Sequence, residues 1–182
     1  VLIWQAERYA LASAGIFGYY ALQLGCPALP ALAASRVAQR WLALQHEDAD
    51  FACPQLRLDF HQLPLQESSV DLLALPHTLE NSADPEATLR DTARALRPQG
   101  RLLISGFNPR SVWFSPAAQQ RRKLWGLPEP SHLVSVGRLR QLLAAHSLQI
   151  EALHYGCWQG LPAKTQATQP MATSSRSETW GA

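Results

Sequence analysis

The sequence predicts an α/β fold, an open and mostly parallel sheet with helices on both faces, and three observations carry that reading. Residues 70–75 form an apolar run bounded by polar residues, the pattern of a strand buried on both faces of a parallel sheet. Asp84 then supplies an N-cap with Pro85 at the first helical position, Leu89, Ala93 and Leu96 share one helical face, and Pro98-Gln99-Gly100 ends the helix. A second apolar strand follows at residues 101–107. Strand, helix and strand joined by short turns predict a right-handed parallel crossover.

The other elements repeat this rhythm. Between residues 4 and 20, Trp4, Tyr9, Leu11, Ile16, Phe17 and Tyr20 recur at mixed three and four spacing, which predicts a helix on a core, broken near Gly15 or Gly18. Residues 21–24 read as a short buried strand or a helix end, residues 31–40 as a helix of small residues, and residues 41–45 as a second short strand. Residues 56–60 are a third strand. Ser135 caps a helix running to about His146, with Leu139, Leu142 and Leu143 inward, and residues 148–155 supply another strand. Residues 165–182 are rich in Gln, Thr, Ser and Ala with almost no apolar periodicity, so residues 161–182 are expected to be a disordered tail behind a single domain over residues 1–160.

Length and charge fit that division. A chain of 182 residues, 47% hydrophobic, can bury one proper core. Its formal charge is only +2, with basic residues scattered apart from Arg121-Arg122-Lys123, so neither nucleic acid nor an anionic membrane is expected as a partner. The cysteines Cys26, Cys53 and Cys157 are odd in number and show no CxxC or His-rich pairing. A reduced, cytoplasmic setting without a zinc site is the easier fit. No apolar run reaches the length of a membrane span, and the first residues lack the pattern of a signal peptide.

Three segments in order carry a family resemblance: Asp59-Phe60-His61-Gln62-Leu63-Pro64-Leu65, then Ser68-Ser69-Val70-Asp71-Leu72-Leu73, then Leu96-Arg97-Pro98-Gln99-Gly100-Arg101-Leu102-Leu103-Ile104. The chain thereby resembles the class I S-adenosylmethionine-dependent methyltransferases of the type 11 group, which show D-x-x-x-L-P-F, S-F-D-L and R-x-L-K-P-G-G-x-L at corresponding spacings. The resemblance implies a Rossmann-like fold, S-adenosylmethionine as cofactor and a small-molecule methyl acceptor. It places Asp59 against the adenine amino group, Phe60 beside the base and Pro76 at the end of the fourth strand among the cofactor contacts. His77 follows Pro76 where the family lines the methyl-transfer site, and histidine can act as a base near neutral pH. Glu80, Asn108 and Trp113 fall on the substrate side, in loops after the fourth and fifth strands.

The chain departs from the family at the glycine loop. Where relatives read V-L-D-L-G-C-G-x-G, residues 21–29 read A-L-Q-L-G-C-P-A-L. Gly25 keeps the turn, Pro27 removes an amide donor, and Leu29 adds a branched side chain where the family has none. Gln23 replaces the acid that helps bind the cofactor's ammonium, so the charge-assisted part of that contact is lost. Gln45 stands where an acid should grip the ribose hydroxyls, with Glu47 or Asp48 downstream to take over. The family's final antiparallel strand has no counterpart in the residues after Gly160. These losses favour, as the alternative to an enzyme, a binding or regulatory module that retains the fold; the sequence does not decide the oligomeric state. Asp71, at the start of the fourth strand, reads as structural.

Overall fold

The computed structural model describes residues 1–45, 55–124 and 126–156. Helix α1 (Leu2–Ser13) leads into β1 (Phe17–Leu24), β2 (Arg36–Leu44), β3 (Gln55–Arg57) and β4 (Val70–Pro76). After these come α2 (Pro85–Ala95), β5 (Leu96–Ser105), α3 (Gln119–Leu124) and α4 (Val136–Ala145), with single 3-10 turns at Val112–Phe114, Pro116–Ala118 and Pro130–His132. The strands pair in the order β3-β2-β1-β4-β5, all parallel. The order reverses between β1 and β4, which in an open sheet puts a crevice beyond the carboxyl ends of those two strands.

Helices cover both faces. On one, Leu22, Leu24, Leu73 and Leu75 of the sheet pack with Leu89 of α2 and with Leu142 and Leu143 of α4. On the other, Ala21, Leu72 and Ala74 meet Tyr9 of α1. The caps expected at the helix starts are formed. The Asp84 carboxylate accepts from the amides of Glu86 and Ala87, both at 3.0 Å, and the Ser135 hydroxyl accepts from Arg138 N at 3.2 Å. In β5, Gln99 takes φ 65°, a left-handed backbone that a residue with a Cβ adopts at a cost. Gln99→Gly is therefore expected to stabilise the fold by about 0.5–1 kcal/mol, read as a raised urea midpoint at constant m.

Five sequence expectations are corrected. The helix expected to carry Leu96 and stop at Pro98-Gln99-Gly100 ends at Ala95, and these residues already belong to β5. The helix expected to run to residue 20 ends at Ser13, because the β-branched and aromatic residues Ile16, Phe17, Tyr19 and Tyr20 start a strand. Residues 31–40 are not a helix: residues 31–34 turn and β2 already begins at Arg36, whose amide bonds Ile16 O at 3.2 Å. Leu29, Ala31 and Leu32 bury themselves against the sheet beside α1, so the connection itself covers the face a crossover helix would cover. The third strand stops at Arg57, leaving Asp59 and Phe60 in the following turn. Residues 148–156 run alongside β5 without joining the ladder, tied to it by the ion pair between Arg101 and Glu151. Among the described residues no strand pairs with the outer edge of β5. Residues 157–182, and with them the expected tail, lie outside the described residues.

Asp71 has the structural place its position suggested. One carboxylate oxygen accepts from the amides of Tyr19 (2.7 Å) and Tyr20 (3.0 Å), and the other from Arg97 Nη1 at 3.0 Å. It ties β1, β4 and β5 together below the residues where the β1–β4 ladder begins. Gly18 makes room for it, since a Cβ there would sit 2.5 Å from that of Asp71.

Candidate active site

The loop leaving β1 keeps the bend that a cofactor turn requires. Gly25 has φ 74° and Cys26 φ 47°, and Gly25 N bonds Ala43 O at 2.8 Å, so the chain turns sharply over the end of β2. The Gln23 side chain, 5% exposed, holds that bend from inside. Its Nε2 donates towards the carbonyls of Gly25 (3.0 Å), Cys26 (3.0 Å) and Leu29 (2.9 Å), while its Oε1 accepts from Ala31 N at 3.0 Å. A carboxylate could take the last of these bonds but could donate none of the others. Gln23 thus replaces, by side-chain hydrogen bonds, the constraint that glycines supply in the family pattern. Gln23→Glu is expected to destabilise the fold by about 2 kcal/mol, because it aims a carboxylate at three carbonyls, and urea unfolding measures the loss. Burial pushes the Cys26 thiol above its ordinary range.

Phe60 is buried and its ring approaches Gly25, lying 3.6 Å from where a Cβ would be. Beside it Asp59 projects into solvent with its side chain 60% exposed, its Oδ1 accepting from His61 N at 2.9 Å and lying 3.0 Å from His61 Nδ1. Thr78, which the sequence did not single out, donates to Leu24 O at 2.5 Å and fastens the loop after β4 to the end of β1. Gln45 directly follows β2 and is half-buried. Glu47 and Asp48 fall outside the described residues. Pro76 is the fully buried last residue of β4.

His77 comes next, with φ 55°, a strained backbone for a residue with a Cβ. Its ring is buried and held on both sides. Nδ1 lies 2.8 Å from Glu80 Oε2, and Nε2 lies 2.8 and 3.0 Å from the two ends of the Gln5 carboxamide, which α1 brings in from 72 residues away. Glu80 Oε1 accepts from Phe107 N, so both carboxylate oxygens act as acceptors. That arrangement puts a proton on His77 Nδ1 and sets Nε2 against the Gln5 carboxamide, which can donate to it or accept from it. Glu80 therefore touches the loops after both β4 and β5, and it is 4% exposed.

Beyond His77 an aromatic stack continues outward. The ring of Phe107 lies 4.5 Å from His77, Phe114 lies 5.7 Å from Phe107, and the Arg122 guanidinium sits 5.8 Å over Phe114. The aromatic connection thus divides: Phe114 is core, Trp113 is half-buried, and Leu124 is 80% exposed. Asn108 spends its Oδ1 on Arg110 N at 3.0 Å, which fixes its own turn. Gln5 and Thr78 join the site without a sequence signal, since each is an ordinary polar residue whose role depends on the partner the fold brings to it.

Comparison with known proteins agrees with this geometry. A family model described as a methyltransferase domain matches residues 17–104. The Escherichia coli (strain K12) protein YafS, described as uncharacterized, is 46% identical over 109 residues, covering 59% of this chain and 44% of its own length. A demethylmenaquinone methyltransferase of Chlamydia pneumoniae is 36% identical over 58 residues, 32% of this chain and 25% of the relative. The chain thus spans less than half the length of these curated relatives. Among solved structures, an S-adenosylmethionine-dependent methyltransferase from Mesorhizobium loti superposes with a TM-score of 0.60 at 21% identity, covering 84% of this chain and 83% of that one. The fold is that of the class I methyltransferases. Over residues 17–104 the chain is similar to the methyltransferase domain family.

The residues fit the family's cofactor unevenly. The exposed Asp59 carboxylate beside the buried Phe60 ring offers an acceptor and an apolar wall for a purine, and the Gly25 bend retains a main-chain cradle. At the other end of the cradle the ammonium of S-adenosylmethionine would meet the carbonyls of Gly25 and Cys26 in place of a carboxylate, and it would compete there with Gln23 Nε2. Among the described residues no group of His, Cys, Asp and Glu is arranged to hold a metal ion, and no helix is long and apolar enough to cross a membrane.

Proposed function

We propose that this domain binds S-adenosylmethionine over the ends of β1, β2 and β4 and transfers its methyl group to a small-molecule acceptor beside His77. The observation that carries the reading is the buried Glu80–His77 pair at the end of β4, with one ring nitrogen fixed by a carboxylate and the other against the Gln5 carboxamide of α1. S-adenosylmethionine, when bound, supplies an electrophilic methyl on a sulfonium with a good leaving group, so the protein's work is to position the nucleophile and exclude water. Asp59 and Phe60 hold the adenine, Gly25 and the adjoining carbonyls hold the methionine part, and Gln45 or Glu47 reaches the ribose. His77 Nε2 takes the proton of a hydroxyl or amine acceptor once the Gln5 carboxamide yields to it, while Glu80 stabilises the charged ring that results. Asn108 and Trp113 border the acceptor from the loop after β5.

Calorimetric titration with S-adenosylmethionine and S-adenosylhomocysteine tests this directly. Binding of both is expected, more weakly than in proteins that keep the family's acid at this position. No heat and no thermal shift at millimolar ligand would remove the enzyme reading. Asp59→Ala is expected to weaken binding about tenfold, the usual cost of deleting one partner of a hydrogen bond, and unchanged affinity would take Asp59 out of the site. The inward use of the whole Gln23 carboxamide favours a second reading, a methyltransferase-like binding module without turnover. Ligand binding without methyl transfer to any acceptor would select it.

A further inference from the structure

A groove of about 1680 Å³ runs along the outer edge of β5 and reaches the site at the strand's carboxyl end. There it passes between α1 and the loop after β5, beside Glu80 and Phe107. The polar atoms at this end are unusual. Tyr9 Oη, Ser105 Oγ and Arg8 Nε are all buried, and none has a hydrogen-bond partner among the described residues. Tyr9 and Ser105 lie close enough for the serine to act on the phenol's ionisation, yet neither hydroxyl reaches hydrogen-bond geometry with the other. Buried donors left unpaired are costly, so three in one groove mark a place built to receive an acceptor atom from a ligand.

We infer that Arg8, Tyr9 and Ser105 form a carboxylate subsite that anchors the methyl acceptor between α1 and the end of β5. The inference rests on the methyl-transfer reading for the word acceptor, but the subsite stands on its own atoms. Arg8 contributes one positive charge, its guanidinium 6.0 Å over the Trp4 ring. Burial pushes the Tyr9 phenol well above its ordinary range, so it stays a neutral donor. Ser105 adds a second hydroxyl. One cation and two neutral donors match a monoanion with two oxygens. A dianion such as a phosphate monoester is disfavoured, because the Glu80 carboxylate lines the same groove. The apolar residues of the groove on the α1 side, Trp4, Leu103 and Phe107, call for an apolar or aromatic body behind the carboxylate.

The test uses the full chain, nitrogen-15 labelled, with benzoate as probe and benzamide as its neutral counterpart. Benzoate is expected to move the Arg8 Nε–H resonance, which is assigned by its loss in Arg8→Lys. Its affinity is expected to fall about tenfold in Arg8→Gln and several-fold in Tyr9→Phe, with benzamide about tenfold weaker than benzoate on the unaltered chain. A resonance that does not move, or equal benzoate affinity in Arg8→Gln, overturns the subsite, as does equal binding of benzamide. S-adenosylhomocysteine binding is measured separately on the same samples and is expected to be unchanged by both substitutions. If that ligand fails to bind while benzoate behaves as expected, the methyl-transfer reading falls and the carboxylate subsite remains.

Discussion

Replacing Glu80 with alanine is expected to cost about 3–4 kcal/mol of stability, the usual consequence of removing one partner from a buried, hydrogen-bonded pair. The loss has three parts. His77 Nδ1 is left without its acceptor inside the protein, Phe107 N loses its carboxylate partner, and a cavity opens between the loops after β4 and β5. Because His77 sits at φ 55°, its backbone is held in place by these contacts, and its release is expected to loosen residues 77–81 first. Urea unfolding gives the magnitude, and hydrogen exchange at residues 77–81 and 106–108 gives the place. Glu80→Gln separates folding from chemistry. The amide oxygen still accepts from Phe107 N, while its NH₂ donates to Nδ1 and forces the ring proton onto Nε2, where Gln5 Oε1 can accept it. That variant should lie within about 1 kcal/mol of the parent in stability and yet lose Nε2 as a proton acceptor, cutting methyl transfer by about a hundredfold. A Glu80→Gln protein as active as the parent would remove His77 as proton acceptor.

How much of this was legible in the sequence depends on the range over which each feature is determined. The unit from Val70 to Ser105 was readable because its signals are local: an apolar run, an Asp84-Pro85 start and a helical face, although the helix ends at Ala95 and Pro98-Gln99-Gly100 falls inside β5. Its caps then appear with the expected donors. The connection from β1 to β2 was not readable, because its alanines suit a helix and only burial of Leu29, Ala31 and Leu32 on the sheet makes a turn the better choice. Residues 148–155 have the composition of a strand, but pairing is a property of two edges and cannot be read from one. In the site, the position after each strand was predictable from the sheet, which brings Gly25, Phe60, Pro76, His77 and Glu80 to one end of it. Gln23 shows the limit. Its place in the pattern suggested a weakened ligand contact, whereas its four hydrogen bonds belong to the loop, a fact that requires knowing where three carbonyls and one amide come to rest.

Replacing Asp71 with alanine is expected to cost about 2–3 kcal/mol and to leave cofactor affinity unchanged, since the residue lies at the opposite end of β4 from the site. The carboxylate accepts two amides of β1 and one guanidinium of β5, so its loss strands Tyr19 N and Tyr20 N near the start of a strand pair that has no ladder bonds there. Burial alone would raise its pKa, but the two amides and Arg97 more than offset this and hold it below the ordinary aspartate value of 3.8. The sign follows from that direction. A carboxylate easier to ionise in the folded chain than in the unfolded one adds stability that is complete above the ordinary value. That stability is lost as pH falls through 3.8 toward the lower folded value. Asp71→Asn keeps the shape and one acceptor oxygen but cannot titrate, so its stability should fall less steeply between pH 5 and the acid transition than that of the parent. Parallel acid-unfolding curves for parent and Asp71→Asn would mean that the carboxylate's charge does not stabilise the junction of β1, β4 and β5. An Asp71→Ala chain with parent stability and weakened S-adenosylhomocysteine binding would reverse its assignment from framework to site.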